Sequence, residues 1–471
     1  MLNKKKQDSG ASETKHHWRD NIEAITISIV IIVLFKFFVL EAYKIPTGSM
    51  QPTLMGWDNG KGGGVFDHVL VDKLSYQFRE PERFEVAVFK YPLDKSKNFI
   101  KRIWGLGGEF LSIRSGDVFI SADGKDWHIP RRSDHLLATM LRKVDTQGGW
   151  HVPGEGWSIE GDDLIAAAGG QAQFPARSSS VVDAYSDGYP GKLGEKVLAG
   201  KRSMPKNTVG DLRVAFDLCP AADCREVEVE FHEGPRRYRM QIPGPAATDR
   251  EPIRLSIVRG PGDESNQPIA SVEPFRLESG DCVAIEAQNL DDELRLSIDG
   301  KIWLQAPIDP ISDQLLDSSG IRLRTTQGGA RFQNVRVWRD IYYTDKNLKY
   351  SDWQIPEGHY VMLGDNTQDS SDSRDWQLVR YEVHEGDQST VVQGNHRNNE
   401  NPRFQTGDDG TLQVFLMDDL GERHVFAQSQ SRELEPVQAS FVPRELIRGR
   451  AVMVVWPMVP SLDVYRLRWV R

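Results

Sequence analysis

The chain has 471 residues, too many for one ordinary domain and enough for two or three with separate cores. Its 58 basic and 68 acidic side chains leave a net charge of −10, which speaks against a nucleic-acid partner, because phosphate neutralisation needs a basic face. Three cysteines are too few to organise a fold by disulfides, and the eleven histidines show no zinc-like spacing, so no metal or other cofactor is expected.

In chain order, the first feature is Ile22–Leu40, IEAITISIVIIVLFKFFVL. As a helix it would span roughly 28 Å, against a hydrocarbon core of about 30 Å. Glu23 stands at its entry, and Lys36 lies one turn from its far end, where it can snorkel. Lys4, Lys5, Lys6, Lys15 and Arg19 precede it against Asp8, Glu13 and Asp20, so this flank is expected to be cytoplasmic. A cleaved signal peptide fits less well, since the apolar run is long and Glu41–Pro46 has no small-residue cleavage pattern. The sequence therefore predicts a basic tail over 1–21 and one transmembrane helix over 22–41, with the remainder outside.

The rest reads as mainly β. Residues 43–120 carry strand signals such as His68–Leu74 and Glu85–Tyr91, bounded by Gly, Pro and Asp. From 121 to 207 the pattern dissolves into Gly, Ser, Asp and Pro, which predicts a loop-rich insertion. Residues 208–345 differ: Asp211–Asp217, Glu226–Phe231, Arg237–Ile242, Ile253–Arg259, Cys282–Ala287, Glu293–Ile298, Gly320–Thr325 and Ala330–Trp338 recur at near-regular spacing. Short alternating strands at such intervals predict a β-sandwich or jelly roll, and Asp299-Gly300 predicts a type I′ hairpin turn. This stretch resembles the concanavalin-like and laminin-G-like sandwiches. Residues 346–380 return to the style of the first unit, 381–439 form a second insertion, and 440–471 resume. One β domain interrupted twice is the expected organisation. Cys219 and Cys224 lie close enough in sequence for a small disulfide, with Cys282 read as a core residue. Met55, Trp57 and Trp104 suit either the bilayer surface or a core.

Three segments carry chemistry. Ile45–Leu54 places Ser49 after a glycine and between two prolines, a stiff chain suited to presenting a nucleophile, although Thr-Gly-Ser is also ordinary turn chemistry. A serine hydroxyl needs a base, and His68, His128 and His359 lie in no triad context. Lys101, between Ile100 and Ile103 on a strand pattern, is the sharper candidate, since a buried lysine loses affinity for its proton. An edge-strand lysine facing solvent is the alternative. Gly364–Trp376 packs hydroxyls, carboxylates and Arg374 into one loop; it reads as an orienting loop, a plain Asx/Ser turn or, with the wrong spacing, a calcium loop.

Together, Ile45–Leu54, Asp67–Tyr76, Lys101–Gly108 and Gly364–Arg374, in this order and followed by Val442–Pro457, resemble type I signal peptidase, a membrane-anchored Ser/Lys protease. The resemblance implies Ser49 as nucleophile and Lys101 as general base, with the Ser49 N–H and Thr47 hydroxyl as oxyanion hole. It implies that Ser370 holds the Lys101 amine, that Asp365, Arg102, Asp372 and Arg374 form an ionic support, and that Ile45, Pro46 and Ile100 line the substrate pockets. Implied partners are preprotein signal peptides and the lipid bilayer, and the implied location is the inner membrane with a periplasmic catalytic domain. The chain departs from the family at Gly107-Gly108-Glu109 and Thr367, where Pro-Gly-Asp and Arg are usual. The competing reading is a catalytically weak frame displaying a sandwich that binds a glycan or protein ligand; self-cleavage, as in repressor-type relatives, is a third.

Overall fold

The computed structural model describes residues 17–470 apart from 59, 61–62, 145–146, 177–179, 190–191, 199–206, 249–250, 259–267, 313, 345–351, 387, 396–402 and 463. The basic tail up to residue 16 and the end of the strand candidate at Arg259 lie outside the described residues. Where apolar and polar residues alternate, strands bury every second side chain: Leu212–Pro220 turns Leu212, Val214, Phe216 and Leu218 inward.

Three chain segments build one eight-stranded sheet, in the order Leu40–Lys44, His68–Asp72, Ile447–Trp456, Val86–Tyr91, Asp94–Gly105, His359–Leu363 and Phe441–Pro443, with Arg468–Trp469 also beside Ile447–Trp456. Sequence-distant residues meet here because strand pairing alone joins them: Leu363 opposes Arg102, and Ala451 opposes Val71. A small sheet of Asp352–Gln354, Phe110–Arg114 and Asp117–Ser121 lies alongside.

The sandwich has an eight-stranded and a six-stranded sheet around one core. Val214 and Phe216 come from one sheet, Val229, Phe231, Met240 and Leu323 from the other, and all are buried. Every strand expected between 208 and 345 is present. Asp299 and Gly300 both take positive φ, 50° and 76°, and join Glu293–Ile298 to Lys301–Pro307 as the hairpin turn requires. The segment Gln377–Gln438 adds two three-stranded sheets.

Three expectations need correction, and one left open is decided. The segment 121–207 is not a separate loop-rich insertion: Trp157–Glu160 and Asp163–Ala166 extend one sandwich sheet, Gly170–Phe174 the other, and Arg142–Lys143 pairs with Ala330–Arg339. The disulfide joins Cys219 to Cys282, while Cys224 is a free, buried thiol pushed up to about 11 by burial and the Asp223 carboxylate. Cys282 is accordingly an exposed partner at the head of Val283–Leu290, not a core residue. Of the two readings left open for Met55 and Trp104, the core is the one observed, since both are buried. The N-terminal helix runs His17–Phe38, and the chain is already extended at Leu40. Among the described residues, no helix meets the length and apolarity of a membrane crossing. On this helix Ile22, Ile25, Ile29, Ile32 and Leu34 are all exposed.

Candidate active site

Ser49 sits in the turn after Leu40–Lys44. The turn is closed by Gln51 N–H donating to Gly48 O (3.0 Å) and Leu54 N–H to Met50 O (2.8 Å). Met50 and Leu54 are fully buried beneath it, so the local apolar residues anchor the turn while Ser49 stays half-buried. Lys101 lies in Asp94–Gly105, hydrogen-bonded through this strand on both sides, and is 2 % exposed. Its Nζ is hydrogen-bonded to Ser49 Oγ and lies 5.9 Å from the Phe99 ring centre, with Ile103 fully buried nearby in the strand.

The loop after His359–Leu363 closes over this pair. A Cβ on Gly364 would fall 2.1 Å from Ser370 Oγ and 2.5 Å from Ser49 O, so only glycine permits this approach. Ser370 is thereby buried beside the Ser49 backbone. The four charges expected as one ionic cluster form two bidentate pairs. Arg102 Nε and Nη2 donate to Asp365 Oδ1 (2.8 Å) and Oδ2 (2.7 Å), and Arg374 Nε and Nη2 donate to Asp372 Oδ1 (2.8 Å) and Oδ2 (2.6 Å). All four side chains are buried. Burial pushes both carboxyls up, but the guanidinium beside each outweighs it and holds them below the usual range. Gly364 N–H donates to Asp372 Oδ2 (3.0 Å), which ties the second pair to the loop's first residue.

The remaining expected residues have these places. Ile45 is buried, Ile100 half-buried, and Pro46 and Thr47 are exposed before Ser49. At the departures, Gly108 takes φ +87°, and Glu109 caps its own turn by accepting from Leu106 N–H (3.1 Å). Thr367 Oγ1 donates to Tyr342 O (2.8 Å).

Several contributors are not among the expected site residues. Arg142 Nη2 donates to Thr53 Oγ1 (2.9 Å) and stands 3.6 Å from Asp365 Oδ2; Thr53 Oγ1 in turn donates to Asp365. Asn366, inside a legible Gly-Asp-Asn run, reaches Gly48 O through Nδ2 (2.8 Å) and Ser49 O through its backbone N–H (3.2 Å). Tyr185 and Tyr189 approach Gln51 from the sandwich side. Two groups among the described residues have carboxylates close enough to hold a cation, Asp117 with Asp211 and Asp291, and Asp418 with Glu422 and His424. Neither includes a residue of the Ser49 site.

A serine hydroxyl lies against a buried lysine amine, beside a loop braced by two buried ion pairs, an arrangement in which the amine can take the hydroxyl proton. Residues 18–154 and 280–393 match the family described as signal peptidase, peptidase S26, and this chain belongs to that family. Similar curated proteins include the probable signal peptidase I-2 of Synechocystis sp., 34 % identical over 123 residues (25 % of this chain, 50 % of that protein). Signal peptidase I of Aquifex aeolicus is 37 % identical over 91 residues (19 % and 32 %). The chloroplastic thylakoidal processing peptidase 1 of Arabidopsis thaliana is 30 % identical over 136 residues (27 % and 36 %). The chain spans half or less of the length of these relatives. Among solved structures, the carbohydrate binding module CBM66 from Bacillus subtilis aligns at TM-score 0.26 with 10 % identity, covering 41 % of this chain and 96 % of that one. Caenorhabditis elegans galectin LEC-6 aligns at 0.22 with 12 % identity (27 % and 83 %).

Proposed function

We propose that this chain is a membrane-bound serine endopeptidase that removes N-terminal signal peptides from exported preproteins. The observation that carries the reading is the hydrogen bond between Ser49 Oγ and the buried Lys101 Nζ. Desolvation favours the neutral amine, whose lone pair can take the hydroxyl proton. Ser49 Oγ then attacks the carbonyl carbon of the scissile peptide, and the charge develops on the carbonyl oxygen. The Ser49 N–H and the Thr47 hydroxyl are its donors, an effect worth roughly 3–4 kcal/mol per donor. Lys101 gives the proton to the departing amine, leaving an ester on Ser49. A water deprotonated by Lys101 attacks that ester, and the proton returns to Ser49 Oγ. Ser370 holds the amine, Arg102–Asp365 and Arg374–Asp372 keep the walls in place, and Ile45, Pro46 and Ile100 favour small residues before the cut.

The same reading places the helix His17–Phe38 in the inner membrane, with the catalytic unit on the periplasmic face. What supports it is the apolar run Ile22–Leu40 in the sequence and the exposure of its isoleucines on every side. The disulfide Cys219–Cys282 fits an oxidising compartment. The test uses the full chain in detergent with a purified preprotein: Ser49→Ala and Lys101→Ala are each expected to abolish processing. Processing retained by both variants removes the mechanism.

A further inference from the structure

The sandwich does more than decorate the peptidase frame, because four consecutive residues of the loop over Ser49 are bonded to chain that lies outside that frame. Asn366 Nδ2 donates to Tyr185 Oη (3.1 Å), Thr367 Oγ1 to Tyr342 O (2.8 Å) and Gln368 Nε2 to Asp183 O (2.7 Å), while Asp369 Oδ2 accepts from Tyr185 (3.1 Å). The segment that carries Asp183 and Tyr185 is itself locked to the sandwich. Arg339, the last residue of Ala330–Arg339, donates from Nε to Asp187 Oδ2 (2.7 Å) and from Nη2 to Ala184 O (3.1 Å).

Asn366 is the link to the chemistry. Its side-chain amide has two hydrogens; one goes to Gly48 O (2.8 Å), the other to Tyr185 Oη. Gly48 C=O and Ser49 N–H belong to one planar peptide unit, so fixing where the carbonyl points fixes where the N–H points. The backbone N–H of Asn366 also holds Ser49 O (3.2 Å), which pins the peptide on the other side of the nucleophile. On the opposite flank Tyr185 and Tyr189 both reach Gln51 Oε1 (3.2 and 2.7 Å), and Gln51 N–H donates to the same Gly48 carbonyl. The Tyr185 ring packs among Met55, Val65 and Val464 of the peptidase unit and Leu193 and Val197 of the insertion.

We propose that Tyr185 is a positioning residue for the peptidase reaction: supplied by the inserted chain, it holds Asn366 and thereby aims the Ser49 N–H at the developing oxyanion. The inference rests on the Ser/Lys reading above. Burial and the nearby Asp369 carboxylate push the Tyr185 hydroxyl up to about 12, so it stays protonated in any working range.

The test compares the full chain with Tyr185→Phe, Asn366→Ala and the double variant, each in detergent, on a fluorogenic peptide with Ala-X-Ala before the cut. Removing one oxyanion donor costs roughly 100- to 1,000-fold in kcat, so misaiming one is expected to cost about 10-fold. Tyr185→Phe keeps the ring and its packing, so KM should stay within about twofold and the thermal midpoint within about 2 °C. Because Tyr185 acts through Asn366, adding Tyr185→Phe to Asn366→Ala should lower kcat no further. A Tyr185→Phe enzyme with the parent's kcat, a loss confined to KM, or a loss that adds in full to that of Asn366→Ala overturns the proposal. Ser49→Ala run alongside separates the two levels. If it is inactive while Tyr185→Phe matches the parent, only the positioning role falls; if it turns over like the parent, the peptidase reading falls as well.

Discussion

At the scale of single residues, Gly364 shows how tightly the loop is drawn onto Ser49. It needs no unusual φ; its constraint is space, because a methyl group there would sit 2.1 Å from Ser370 Oγ and 2.5 Å from the Ser49 carbonyl. Neither neighbour can retreat without loss, since Ser370 is buried and the Ser49 carbonyl also accepts from Asn366. Gly364→Ala is therefore expected to lower kcat by about 100-fold, the usual cost of displacing reacting groups by about 1 Å. Turnover of the fluorogenic peptide by the folded variant checks this, and parent-like kcat would show that the loop tolerates the shift. The residues of this loop were legible because Gly-Asp-Asn, Ser-x-Asp-Ser-Arg and the lysine between isoleucines are local patterns with a chemical reason for each residue. Arg142 and Tyr185 were not legible. Their partners Thr53 and Gln51 lie 89 and 134 residues away, and nothing beside either residue in the chain marks it.

Among the elements, the strands between 208 and 345 could be read because each has a clear apolar face to bury. Glu293–Ile298 even keeps its bounds, with Leu294, Leu296 and Ile298 turned inward. The strands before them were hidden for a physical reason: Gly170–Phe174 reads GQAQF and gains its place from pairing with Ser319–Thr325, not from its own propensity. Where the hairpin Phe110–Arg114 and Asp117–Ser121 meets the sandwich, carboxylates gather. Asp117, Asp211 and Asp291 bring oxygens within 4.8 Å of one another, and Asp117 and Asp211 also line a cavity of about 370 Å³. Burial, then the neighbouring acids, raise Asp211 well above its ordinary value. Below the unfolded value, near 4, both states hold the proton and the site costs nothing. As pH rises toward the folded value, only the unfolded chain gives the proton up easily, so stability is lost. Asp211→Asn mimics the protonated form. It should raise the thermal midpoint near neutrality by roughly 2–4 °C, about 1 kcal/mol, with the gain vanishing below about pH 4. Melting curves at several pH values check it; a gain that is the same at every pH would assign the effect to packing rather than charge.

For the whole molecule, the proposed membrane location draws on two parts of the chain. The run Ile22–Leu40 is conspicuous in the sequence, whereas the second surface is visible only after folding. Trp456, Tyr465, Leu467 and Trp469 are 51, 63, 58 and 62 % exposed, and they come from Ile447–Trp456 and the chain end that folds back beside it. That strand pairs with His68–Asp72, which pairs with Leu40–Lys44, the strand leading from the helix to Ser49. Met55 and Trp104, attractive in the sequence as lipid contacts, are spent on packing instead, because they lie on the inner faces of their segments. Exposed tryptophans favour the bilayer interface, and each buried large side chain contributes roughly 1.5–3 kcal/mol. The double variant Trp456→Ser, Trp469→Ser should thus process a vesicle-embedded preprotein at least about tenfold less efficiently. A short soluble peptide presented to the same variant in detergent should be cut at the parent's rate, since both tryptophans are more than half exposed. Equal losses on both substrates would trace the defect to the catalytic unit, and equal retention on both would remove this face from the membrane contact.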